Sequence, residues 1–157
     1  MLGNKLIGPF VFDKNLTGNT YEVFLRNELP DLLEDIPLMI RNQTYFQNDV
    51  ALTRYARYVT EYLNEYFPNR WLGRGGPVAW PPRSSDLTPL YYYLCGHIKT
   101  LVYETKVDSR SALRDRIFGA AEHIRNYPDN IASATHSVLM RAENCIATGG
   151  GHFEQLL

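Results

Sequence analysis

Residues 69–91 read NRWLGRGGPVAWPPRSSDLTPLY, and two further tyrosines follow at 92 and 93. Glycine and proline crowd the first half of this stretch, so it reads as a loop from residue 67 to about 85. Trp71 and Trp80 stand among those glycines and prolines. A tryptophan so flanked is expected to pin the loop to a core rather than to stack on a base. Past the loop, Leu90, Leu94, Ile98, Leu101 and Val102 recur in helical phase. Tyr91, Tyr92 and Tyr93 fall where the polar start of that helix is expected. Consecutive helical residues point in different directions, so the three rings cannot share one face.

Before the loop, residues 5–12, KLIGPFVF, are short, apolar and rich in β-formers, and a strand is expected there, with Pro9 restricting it to an edge or bulge. Residues 13–18 read as a turn. Tyr21, Phe24, Leu25, Leu29, Leu32 and Leu33 share a helical stripe that Pro30 should kink or end. Residues 44–48, TYFQN, form a second candidate strand that delivers Asp49 at its end. Leu52, Tyr55, Ala56, Val59 and Leu63 then make another helical stripe, with Arg54 and Arg57 opposite. After the loop, Asp108 is a candidate N-cap for a helix burying Leu113, Ile117, Ala120, Ala121 and Ile124. The last helix should begin near Pro128, bury Ile131, Val138, Leu139, Ala142, Cys145 and Ile146, and stop at Gly149, Gly150 and Gly151. The pattern is of the α/β class.

The length of 157 residues predicts one domain, and an apolar content of 45% supports a packed core rather than disorder. Net charge is −1, so bulk charge does not draw the molecule to polyanions. The charge is nevertheless uneven. Residues 21–35 balance to −4, whereas residues 54–83 carry five arginines against two glutamates. A nucleic-acid face is therefore expected from the second region, through Arg54, Arg57, Arg70, Arg74 and Arg83. Against it stands the reading of an ordinary solvated face. Cys95 and Cys145 have no metal or disulfide spacing and are expected to be small buried groups in a reducing compartment. His97, His123, His136 and His152 show no i, i+4 pair and no zinc spacing, and each is expected at the surface or satisfied. No signal peptide or membrane span is read, so a nuclear or cytoplasmic protein, not secreted and not on a membrane, is expected.

Tyr45 to Asp49, YFQND, resembles the WFQ-x-D element of mariner-like transposases. The run NRWLGRGGPVAWPPRSSDLTPLY resembles their NRWIGRGGP followed by WPPRSPDLTPLD. The likeness runs from GNKLIGPFVFD near the start to GGGHFEQL near the end and covers nearly the whole chain. It implies a catalytic domain of the Tc1/mariner superfamily with a ribonuclease H-like fold, in which the sheet order is 3-2-1-4-5. The first two strands are expected upstream of Gly3, leaving an incomplete, few-stranded sheet with flanking helices over residues 3–104 and C-terminal helices over 108–147. In such enzymes three acids hold two Mg²⁺ or Mn²⁺ ions, roughly 3.5–4 Å apart, that clamp the attacking and leaving oxygens of a phosphate.

On this resemblance the second acid falls on Asp49, as a catalytic remnant and at best a weak metal ligand. The family continues from that acid with Gly-Ala-Pro-Pro-His, whereas here the residues are Val50, Ala51, Leu52, Thr53 and Arg54. The third acid should follow LTPL, where Tyr91 stands. A phenol, with an ordinary pKa of about 10, stays protonated near neutrality and is a poor ligand for Mg²⁺. Asp86 corresponds to a neighbouring acid expected to shape the turn, and the first acid belongs to a strand upstream of Gly3. The expectation is therefore a transposase-derived chain that binds no metal cofactor, performs no DNA strand transfer and retains salt-sensitive DNA binding. The competing readings are a protein-interaction module that self-associates or pairs with an intact related transposase, through exposed strand edges or the C-terminal helices, and a remnant without a selected role.

Overall fold

Helix α1, Gly18–Asn27, starts where two threonines cap each other. The Thr17 hydroxyl accepts from the Thr20 N–H, and the Thr20 hydroxyl accepts from the Thr17 N–H. This reciprocal box satisfies two of the N–H groups that every helix start leaves unpaired. The computed structural model describes residues 1–48, 56–81, 84–151, 153 and 155. Over those residues the chain is mostly helical with a two-stranded parallel sheet, a mixed α/β architecture only in the coarse sense. Two compact units divide it, residues Phe12–Arg83 and a second formed by Met1–Val11 with Ser84–Leu157.

In the first unit, Pro30 does what its ring dictates. Helix α1 ends at Asn27, and a single further turn, α2, Leu29–Leu32, carries Pro30 in its first turn, where no N–H is needed. A short helix α3, Leu38–Gln43, precedes strand β1, Phe46–Gln47. Helix α4, Arg57–Tyr66, then leads to strand β2, Trp71–Leu72. The strands run parallel, with Phe46 beside Trp71 and Gln47 beside Leu72. Parallel strands need a crossover, and α4 lies within it.

The core of this unit is the meeting of α1 and α4. Tyr21, Leu25, Leu29, Val59, Tyr62, Leu63 and Trp71 are all buried there, and Leu25, Val59, Leu63 and Trp71 are wholly so. Burying each of the large side chains contributes about 1.5–3 kcal/mol relative to exposure. Phe12, Phe24, Phe46 and Phe67 close the margins. Phe46 and Phe67 pack with ring centroids 5.1 Å apart.

The second unit is built on α5, Gly96–Val102, α6, Arg110–Arg125, and α7, Pro128–Ala147. Its core gathers Leu6, Leu94, Ala121, Ile124 and Ile131, with Tyr93, Ile98 and Leu101 against it. The Arg116 guanidinium staples the α5–α6 loop by donating to the carbonyls of Val102 (3.0 Å), Thr105 (2.6 Å) and Lys106 (3.2 Å). Ahead of α5, residues Ser85–Leu87 form a 3₁₀ turn and Leu90–Cys95 a widened π-helical turn.

Several sequence expectations are corrected here. The strand expected over residues 5–12 does not form. Gly8 adopts φ +77°, Pro9 has no N–H to donate, and Lys5 makes only an isolated bridge to Leu2. The segment instead packs on α6 and α7. Arg125 donates to the carbonyls of Leu6 and Gly8, and the Thr135 hydroxyl donates to Gly3 over 2.7 Å. The cap of α6 is Ser109 rather than Asp108, because its hydroxyl is the one that accepts from the Ala112 N–H. The widened turn shifts the helical phase, so Leu94 faces the core while Leu90 and Cys95 are exposed. Leu139 and Ile146, expected in the buried stripe of α7, are exposed as well.

Candidate nucleic-acid interface

Strand β1 ends at Gln47, and the next residue, Asn48, is one of two buried polar residues among those described. Its N–H donates to the Leu72 carbonyl over 2.8 Å, and its Oδ1 accepts from the Tyr21 hydroxyl over 3.3 Å. Gly73 lies directly against it. A Cβ at position 73 would come within 2.6 Å of the Asn48 carbonyl oxygen, so only glycine lets the two strand ends approach this closely. The chain then turns over Gly73, Arg74, Gly75 and Gly76, closed by a bond from the Gly76 N–H to the Gly73 carbonyl. Gly75 holds the positive φ, +77°, that the third position of a type II turn requires. Gly76 is forced by packing, since a Cβ there would stand 2.8 Å from the Trp71 ring. That ring is wholly buried, and its Nε1 donates to Asn64 over 2.9 Å. The glycine-rich loop is therefore clamped on Trp71, as the sequence reading expected. Trp80 is half-buried.

The turn sets the place of the arginines. Arg74 is exposed at its second position, just past the carboxyl end of β2. Arg57 opens α4, the helix that follows the carboxyl end of β1, and because the strands are parallel both residues lie toward the same end of the pair. In open α/β sheets ligands sit outside that end. The Arg57 side chain is 91% exposed, and its Nε donates to Glu61 over 2.8 Å. Such a solvated i, i+4 pair contributes only about 0.3–0.5 kcal/mol and yields readily to a phosphate.

Arg70 has a different role. It precedes β2, at the amino end of the pair, and its guanidinium donates to the carbonyls of Arg41 (3.3 Å) and Thr44 (3.0 Å) while lying over the Phe67 ring. It ties α3 to the start of β2 and belongs to the scaffold. Asp49, Arg54 and Arg83, the other residues singled out in this region by the sequence, lie outside the described residues.

In the second unit, the three tyrosines point three ways, as consecutive helical residues must. Tyr91 is half-exposed. Tyr92 turns to α7, where its hydroxyl donates to the Ala134 carbonyl over 2.6 Å and the Arg141 guanidinium lies 3.8 Å from its ring centroid. Arg141 also donates to the Asp86 carbonyl over 3.0 Å, so Asp86 shapes the 3₁₀ turn through its backbone. Tyr93 lies against the core, and burial pushes its phenol above the usual value.

Among the described residues no three His, Cys, Asp or Glu side chains converge. No helix among them is long and apolar enough to cross a membrane. The sequence reading missed Asn48 as the buried polar group joining the strand ends. Its signal was available in the asparagine closing the TYFQN strand. No family model matches the chain, and no curated protein or solved structure matches it.

Proposed function

We propose that the chain derives from the catalytic domain of a mariner-like transposase, with a ribonuclease H-like ancestry, and binds DNA without transferring strands. The observation that carries DNA binding is the placement of Arg57 and Arg74, both exposed, toward the carboxyl end of the parallel pair. The β1–α4–β2 crossover agrees with the adjacent fourth and fifth strands of that fold, and β1 ends two positions before that of the second acid. Tyr91 at the position of the third acid supports the loss of strand transfer. The contacts would be to phosphate oxygens, which fix position and carry no sequence information. Binding is therefore salt-dependent and indifferent to sequence.

The test is fluorescence anisotropy with labelled duplex and single-stranded DNA at low ionic strength. Saturable binding that weakens as salt is raised is expected. No binding to either DNA, or nicking of plasmid DNA in Mg²⁺ or Mn²⁺, would overturn the reading.

A second reading, an interaction module that pairs with an intact related transposase, is favoured by one observation. Leu139 and Ile146, seven residues apart on α7, are 70% and 78% exposed. Capture of a full-length relative that is lost in Leu139→Glu and Ile146→Glu, with DNA affinity unchanged, would support it. Capture equal to the parent would remove it.

A further inference from the structure

The second unit brings together two histidines that are 26 positions apart in the sequence. His97 is on α5 and His123 on α6, with ring centroids 6.3 Å apart and planes at 86°. Each is backed by a tyrosine four residues away on its own side. The Tyr93 ring meets His97 edge-on at 5.7 Å, and the Tyr127 ring meets His123 at 5.1 Å. The i, i+4 spacing stacks each pair, and the packing of α5 on α6 joins the pairs into one row. His97 is half-buried and His123 exposed. Among the described residues, neither imidazole makes a hydrogen bond. The Tyr93 hydroxyl is also buried without a partner. Histidines kept only to satisfy a core hold their ring nitrogens in hydrogen bonds. These two leave theirs available.

We propose that His97 and His123 form a two-imidazole site for a borderline divalent transition-metal ion of the Zn²⁺, Ni²⁺ or Cu²⁺ class. Imidazole nitrogens suit these ions and do not suit Mg²⁺ or Ca²⁺. Nitrogens at about 2.0–2.1 Å place the metal about 3 Å from each ring centroid, so two ligating rings stand up to about 6 Å apart. The observed spacing is at that limit, and rotation of the exposed His123 ring about χ2 turns a nitrogen toward the metal. Among the described residues no third His, Cys, Asp or Glu joins the pair. The tyrosine rings restrict both imidazoles and lower the ordering cost of chelation.

The experiment titrates Ni²⁺ alone into the untagged full chain by calorimetry at pH 7.5. One ion per chain is expected, with affinity falling at least about tenfold in His97→Ala and in His123→Ala, a loss no smaller than that of an outer-shell partner. His136→Ala should bind as the parent does. Half-buried His97 is the less tolerant site, so Cu²⁺ spectroscopy of the parent gives a second readout, with hyperfine structure from two imidazole nitrogens per ion expected. No Ni²⁺ uptake by the parent, retained affinity in His123→Ala, loss in His136→Ala, or fewer than two nitrogens on Cu²⁺ would each overturn the proposal.

Discussion

The Tyr62 phenol on α4 donates to the Leu25 carbonyl of α1 over 2.6 Å, joining the two helices of the first core. Burial pushes its pKa up to about 12, the neighbouring Tyr66 phenol adds to the shift, and Arg26 opposes it. The protonated form is thus favoured in the folded state. Above pH 10 the unfolded chain releases this proton while the folded chain keeps it, so stability falls as pH rises. The contribution is complete below pH 10 and is lost progressively up to about pH 12, a difference of about 2–3 kcal/mol. Urea unfolding at a series of alkaline pH values should show this loss. In Tyr62→Phe the loss should shrink by that amount, while stability at pH 7 falls by about 1 kcal/mol for the missing hydrogen bond.

Trp71 is the largest wholly buried side chain, and Gly76 is the residue that fits over its ring. Trp71→Ala should cost about 3–5 kcal/mol. Gly76→Ala should cost about 1–3 kcal/mol, because the added methyl meets ring atoms that have nowhere to move. Guanidinium titrations followed by far-ultraviolet circular dichroism measure both. A neutral Gly76→Ala would mean that the loop is not seated on the indole.

Arg141 and Tyr92 couple α7 to the widened turn by a cation–π contact at 3.8 Å. A double-mutant cycle with Arg141→Met and Tyr92→Leu should return a coupling energy of about 0.5–2 kcal/mol, toward the upper value for this partly buried pair. Additive single effects would show that the guanidinium acts only through its bond to the Asp86 carbonyl.

The arginines of the first unit should separate by assay. Arg57→Gln and Arg74→Gln should each flatten the salt dependence of DNA affinity by about one phosphate contact, with stability within about 0.5 kcal/mol of the parent. Arg70→Ala should lose about 1–3 kcal/mol of stability, because the Arg41 and Thr44 carbonyls lose the guanidinium that ties them together. Equal effects of all three on DNA affinity would contradict the division made from their positions.

Local chemistry was legible in the sequence wherever one residue decides a local geometry. Pro30 divides α1 from α2, Pro128 opens α7, and the glycines at 75 and 76 mark the turn over Trp71. Periodicity placed α1, α4, α6 and α7, because their apolar stripes are intrinsic to the helices. It failed where partners decide. The β-rich run 5–12 lacks neighbouring strands and lies on helices instead, held by Arg125 and Thr135. Cys95 faces out because the helical phase changes at the widened turn. The His97–His123 contact had no local signature, since it arises only from the packing of α5 on α6. At the candidate interface, composition pointed to the basic region. It could not tell that Arg70 is occupied by carbonyls while Arg57 reaches solvent.

The π-helical turn at Leu90–Cys95 amounts to one surplus residue threaded into an otherwise regular helix. An in-frame loss of a single codon there would let ordinary α-geometry return. The turn of helix just ahead of it, with the 3₁₀ turn at Ser85–Leu87, would then swing by about 100° around the axis relative to α5. Tyr92 would leave Ala134 and Arg141, and the 3₁₀ turn anchored by Asp86 would come adrift. This segment should therefore tolerate exchanges of one side chain for another far better than any change in its length.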